Sequence, residues 1–258
     1  MTEKIQRIEY TRSLWRGEEI HPDLHALLGA RDCLLVLQHG PAPFRVTFGV
    51  PHQAAAGVGQ ICNLCPGEEG GLRPRDADEN AAYYALGAFS SLRDQGVPVR
   101  LVIMAHPTGC DPNKDPRSPY CRELFAAATG LLFECHGSSP SRRHDLELSA
   151  GRNPLYPALG FGRRLAAALE YRYLLAAQKE AGLSAARILA APGMEQDGRL
   201  ELPANRTASL ISAYRKKIPA LHLEAKPRFR TPKDRAPALS ADGRLLGEAL
   251  ARTIAALD

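Results

Sequence analysis

The sequence predicts an α/β fold whose sheet is covered by helices on both faces. Three observations carry that expectation. Apolar runs of strand length alternate along the chain with longer stretches of helical period. The run VPVRLVIMAH is apolar but for Arg100 and the terminal His106, as suits a strand buried on both faces. No internal repeat or long low-complexity linker interrupts the alternation, so the 258 residues are expected to form a single unit.

Taken in order, residues 1–30 form a polar arm with a short helical stretch around 22–28. Strands are expected at 33–38 and 44–50, parted by HGPAP, whose Gly and Pro favour a turn. Residues 51–74 are glycine-rich and lack a hydrophobic period, which suits an active-site or surface loop. A helix follows over 79–92, with Ala82, Leu86 and Phe89 near one face and Asp76 or Asp78 suited to cap it. After the strand at 97–106, a helix starts near Pro119 and is closed by Gly130. A strand is expected at 131–135.

The stretch 159–181 is the clearest amphipathic helix, ended by Gly182. ARILAAP at 186–192 reads as a strand, 205–217 as a helix and IPALHLEA at 218–225 as a strand. LSADGRLLGEALARTIAAL closes the chain as a helix.

Composition narrows the function classes. The formal charge of +5 arises from 33 basic and 28 acidic side chains, spread without a cationic tract and with few aromatics to stack bases, so no nucleic-acid partner is expected. The N-terminus is polar and unlike a secretion signal, and no apolar run reaches membrane-spanning length, so no membrane partner and a cytoplasmic location are expected. Six cysteines make no dense disulfide scaffold. No local motif specifies an oligomeric state.

His52 and His136 each end an apolar run and begin a turn, in FRVTFGVPHQAAAG and GLLFECHGSS. Imidazoles delivered from strand ends into loops suit a catalytic metal, because strands fix the ligands and loops leave room for substrate. A core histidine is the structural alternative for either one alone. Zn2+ accepts imidazole nitrogen and carboxylate oxygen, and the third ligand is expected from Asp78 or Glu79, which point in different directions. His106 ends another apolar strand and competes for a supporting role, whereas His144 and His222 have weaker local contexts.

Glu224 ends the strand in IPALHLEAKPRFR, where a carboxylate can take a proton from water activated by a metal. A salt bridge to Lys226 or Arg228 is the structural alternative. Asn113 and Lys114 in DPNKDP, and Arg152 in SAGRNP, offer donors suited to a substrate carboxylate, although DPNKDP is also turn-forming. Cys62 and Cys65 form a CxxC in a glycine-rich loop, an unfavourable setting for thioredoxin-like chemistry. A structural zinc site would have to recruit Cys110 and Cys121 from far along the chain. Cys135 is expected to face the core, opposite His136.

Together, GVPH, RDADENAAYYAL, LVIMAHPTGCDPNKDP, LLFECHGSS, HDLELSAG and LHLEAKPRFR resemble the N-formylglutamate amidohydrolase-like family, with wider similarity to zinc carboxypeptidases and poly-gamma-glutamate hydrolases. The resemblance covers roughly residues 44–230. It implies a three-layer α/β/α sandwich with a mixed, mostly parallel sheet and a mononuclear zinc site. His52 and His136 carry over as ligands, Asp78 as the preferred carboxylate and Glu79 as its reserve. Glu224 resembles the general base. Asn113 and Lys114 fall where the family has an Asn-Arg pair for a substrate carboxylate. Lysine replaces the planar fork with a mobile point charge, and ICNLCPGEEGGLRPR is insertion-like, so strict formylglutamate specificity does not transfer. The expected reaction is hydrolysis of an amide bond in a small carboxylate-bearing substrate such as an N-acyl amino acid. The rival expectation is a metal-free binding protein on the same scaffold.

Overall fold

The computed structural model describes residues 6–10, 15–16, 19–30, 33–54, 60–63, 74–76, 78–105, 111–151, 158–177, 188–191, 207–230 and 239–257. The strands are β1 (Gln6–Tyr10), β2 (Trp15–Arg16), β3 (Glu19–Ile20), β4 (Cys33–His39), β5 (Val46–Val50), β6 (Gln53–Ala54), β7 (Gln60–Asn63), β8 (Pro74–Asp76) and β9 (Asp78–Glu79). They continue with β10 (Val99–Ala105), β11 (Leu132–Gly137), β12 (Leu146–Ser149), β13 (Ile188–Ala191) and β14 (Ala220–Ala225). The helices are α1 (Pro22–Gly29), α2 (Ala82–Asp94), α3 (Pro119–Leu124), α4 (Ala158–Ala177), α5 (Ala208–Arg215) and α6 (Ala241–Ala255).

An eight-stranded sheet runs β1-β4-β10-β5-β11-β14-β12-β13. Its centre, β10-β5-β11-β14, is parallel, and the direction reverses at β4 on one side and β12 on the other. This is the mixed, mostly parallel sheet expected.

Strand alternation divides the side chains between two layers. Leu35, Phe48, Leu101, Ile103, Phe133, Cys135, Leu221 and Leu223 meet α1, α2, α4 and α6 in one apolar layer. Leu34, Val102, Met104, Leu132 and Ala220 meet α3 and α5 in the other. Cys135 therefore faces the core, as the two-residue period requires. On the α3/α5 face, β11 and β14 are apolar only at their N-terminal ends. Toward the C-terminal ends of β11 and β14, the alternation places Glu134, His136, His222 and Glu224 there instead, with His136 beside Glu224 and Glu134 beside His222.

Several boundaries differ from expectation for physical reasons. β1 draws part of the polar arm into the sheet, parallel to β4. Helix α2 begins at Ala82, because Asp78–Glu79 is extended and pairs with Gln53–Ala54. No aspartate caps it; the Gln53 side-chain oxygen accepts from the Ala82 N–H at 2.9 Å. Asn80, at φ 59°, turns the chain between β9 and α2. Helix α3 stops at Leu124, well before Gly130. β12 has no expectation in the sequence, because its HDLELSAG context has only four strand residues. Among the described residues no helix is long and apolar enough to cross a membrane.

Candidate metal centre

Four parallel strands end at one edge of the sheet, and the side chains beyond or near those ends converge. β5 delivers His52, β11 His136 and β14 Glu224; β9 brings Asp78 alongside His52 through its pairing with β6. The edge outside the carboxyl ends of parallel strands is where α/β sheets bind ligands, since the loops there are free to be shaped.

Both imidazoles aim Nδ1 at one carboxylate oxygen. His52 Nδ1 lies 3.3 Å and His136 Nδ1 2.9 Å from Asp78 Oδ2. The opposite ring nitrogens are held by polar side chains. His52 Nε2 donates to Asp111 Oδ1 at 2.8 Å, which leaves Nδ1 with a lone pair directed at the Asp78 carboxylate in the neutral tautomer. Such a pairing repels unless a proton or a cation sits between the groups.

His136 Nε2 lies 3.3 Å from the Asn113 amide and 3.8 Å from Glu134 Oε2. The Asn113 oxygen, buried without another partner, accepts the Nε2–H when turned toward the ring. Two donors on a tetrahedral zinc, each about 2.0–2.1 Å away, stand about 3.3 Å apart. His52, Asp78 and His136 therefore fit a small divalent cation in donor type and spacing.

The surrounding groups hold this arrangement. Glu134, fully buried, accepts from the Tyr120 hydroxyl at 3.0 Å. Tyr84 donates to the His136 carbonyl at 2.9 Å from the other side of the sheet. His222 packs against His136 with ring centroids 4.3 Å apart and the planes tilted by 46°, and its Nε2 lies 3.4 Å from Glu224 Oε1. His136, His222 and Glu224 form a second group of ligand-capable side chains sharing His136 with the first.

Electrostatics without metal follow from this geometry. Burial disfavours the His136 imidazolium, but its hydrogen bonds to Asp78 and Glu134 outweigh that and push its pKa up to about 9. Burial also favours neutral Asp78, yet His136 and His52 hold its carboxyl far below the usual range. The raised pKa means that the His136 proton stabilises the metal-free fold fully below its ordinary value of 6.5, a contribution lost as pH rises through about 9. Zinc and that proton compete for Nδ1. Zinc affinity is therefore expected to rise with pH by up to about tenfold per unit until about pH 9. Chelator competition from pH 6.5 to 9.5 measures this, and a flat profile contradicts it.

Of the expected residues, His52, Asp78, His136, Asn113 and Glu224 meet at this edge. Glu79 belongs to neither ligand-capable group; its backbone carbonyl accepts from Arg230. Lys114 stands at the margin, its side chain 20% exposed and its Nζ 4.0 Å from Asp111 Oδ2. Arg152 and His106 lie outside the described residues, as do Cys65 and Cys110. Among the described residues Lys226 pairs with Asp145, and Arg228 with Asp145 and Asp242, in place of the salt bridge to Glu224 that is its structural alternative. Cys121 is buried in the α3/α5 layer, where burial pushes its thiol up to about 12. His144 stays with Glu147, 3.4 Å away.

Sequence reading missed Asp111, Glu134 and the role of His222. Two of them had a signal: ECH and HLE repeat one polar pattern at strand period, placing Glu134 with His136 and His222 with Glu224 on one face. Asp111 was masked by the turn-forming composition of DPNKDP.

No family model and no curated protein matches the sequence. Among solved structures, a bacteriophage poly-gamma-glutamate hydrolase is similar over 86% of this chain and 88% of its own, at 11% identity and TM-score 0.44. The N-formylglutamate amidohydrolase of Ralstonia eutropha JMP134 is similar over 86% and 95%, at 10% identity and TM-score 0.45. A metallo-carboxypeptidase of Burkholderia cenocepacia is similar over 86% of this chain but 59% of its own, at 14% identity and TM-score 0.43. The chain thus spans about six-tenths of that carboxypeptidase. The structural relationship to these folds is remote.

Proposed function

We propose that the chain is a zinc-dependent hydrolase of an amide bond, N-acyl or peptide-like, in a small carboxylate-bearing substrate. The observation that carries this reading is the convergence of two imidazole Nδ1 atoms on Asp78 Oδ2, that of His52 backed by the Asp111 carboxylate, with Glu224 on the strand beside His136. His52, Asp78 and His136 would hold the metal. When bound, zinc supplies a Lewis acid that polarises a carbonyl and acidifies water.

Glu224 accepts the proton of the attacking water and delivers it to the departing amine. Its position near the end of β14, 7% exposed and beside His222, keeps the carboxylate close to the reacting groups while shielding it from bulk water. Asn113 and Lys114 supply donors for the substrate carboxylate, and Arg152 is a further cationic group in the same role. Residues 1–258 act as one unit in this reading, in the cytoplasm.

The test is turnover. Zinc-loaded protein is expected to release free amino acid from N-formyl- or N-acetyl-amino acids or from γ-glutamyl dipeptides. Zinc bound without turnover of any of these would overturn the substrate class. On a substrate that is cleaved, Lys114→Ala is expected to raise KM about tenfold with kcat little changed, since a lost charged contact acts on ground and transition state alike. An unchanged KM in the steady-state assay would remove Lys114 from substrate binding.

A further inference from the structure

Arg230 lies six residues beyond Glu224, just past the 3-10 turn Pro227–Phe229. Arg230 is 8% exposed, an expensive place for a charge unless it is paired and hydrogen-bonded. It donates from Nη1 to the Glu79 carbonyl at 2.5 Å and from Nη2 to the Ser138 carbonyl at 3.1 Å. Glu79 directly follows Asp78, and Ser138 lies two residues past His136. One planar side chain therefore joins the backbone beside the carboxylate to the backbone beyond the second imidazole.

Gly137 makes the contact possible. A Cβ there would stand 2.6 Å from Arg230 Nη1 and 2.9 Å from Cζ. An arginine tip normally swings aside cheaply, but this one is fixed by two carbonyls, so any side chain at 137 displaces the fork. The charge also interacts with Asp78, Glu79 and Glu224, partly offsetting the negative charge gathered at the site.

We infer that Arg230, seated against Gly137, is a positioning residue that clamps the Asp78 segment to the His136 segment and so sets the ligand spacing of the metal centre. The inference rests on the metal reading above and assigns Arg230 no contact with metal or substrate. Arginine suits the task because its fork reaches both carbonyls at fixed separation, whereas a lysine ammonium presents one point charge.

The experiment uses the full chain, stripped of metal and titrated with Co2+ in competition with a chelator. Dissociation constant and visible absorption are read at a temperature where circular dichroism shows each variant folded. Arg230→Met and Gly137→Ala are each expected to weaken Co2+ binding about 10- to 100-fold and to alter the absorption band. Arg230→Lys is expected to recover little of the loss. Leu250→Ala, a core truncation in α6, is expected to lower the thermal transition and keep the parent's affinity.

Parental affinity and absorption in both Arg230→Met and Gly137→Ala would overturn the clamp, as would full rescue by lysine or an equal loss in Leu250→Ala. Failure of both clamp variants to fold at any temperature would make Arg230 a general structural residue and overturn it too. If the parent itself takes up no Co2+, the metal reading fails, and the clamp with it.

Discussion

Glu224→Gln is expected to lower kcat by about 10²- to 10⁴-fold while zinc content stays unchanged. Glutamine keeps the volume and a hydrogen-bonding oxygen but cannot take up the water proton at neutral pH. His52, Asp78 and His136 are untouched, so the metal should remain and KM should move little. Two paired measurements decide the matter: metal per chain by elemental analysis, and steady-state kinetics on the best substrate. Full turnover with zinc bound would remove Glu224 from the chemistry and turn attention to another proton carrier. Loss of zinc together with activity would instead make Glu224 a ligand, a role its grouping with His136 and His222 also permits.

The largest expected stability effect lies beneath the site, at Gly49. Gly49 is paired with Glu134 across β5 and β11. A Cβ at 49 would lie 2.3 Å from the Tyr120 hydroxyl and 2.9 Å from Leu124 Cδ2. Tyr120 is fully buried and donates to Glu134, so it cannot retreat without abandoning a buried carboxylate. Overpacking and an unpaired buried acid together make Gly49→Ala cost about 2–4 kcal/mol. For a chain of this size, that lowers the thermal midpoint by roughly 5–15 °C. A midpoint within a degree or two of the parent, by calorimetry, would show that the tyrosine has room to move.

The fold was largely legible because its main strands are continuous apolar runs and its long helices carry a clear period. β10, β11 and β14 fall close to where composition alone places them. Short elements escaped for a physical reason: β6, β9 and β12 are held by pairing partners and tertiary packing, and their own residues express little preference. The α2 cap shows the same thing, since its acceptor is Gln53, 29 positions upstream.

At the site, His52, His136 and Glu224 were readable because each stands at or beside the end of an apolar run, where a polar residue needs a reason. The choice of Asp78 over Glu79 as the carboxylate at the site depends on which way an extended dipeptide faces, and that is set by its pairing with Gln53–Ala54. Asp111 and Arg230 were illegible because they act on distant parts of the chain, on His52 and on the Glu79 and Ser138 carbonyls respectively.

The most direct test of the central claim is zinc per chain, by elemental analysis of protein purified without chelator or added metal, in the parent and in a His52→Ala, His136→Ala double variant. About one zinc in the parent, lost in a double variant that keeps the parent's circular dichroism, is the predicted result. No zinc in the parent would contradict the account and favour a metal-free binding scaffold; equal zinc in both proteins would place the metal elsewhere in the chain.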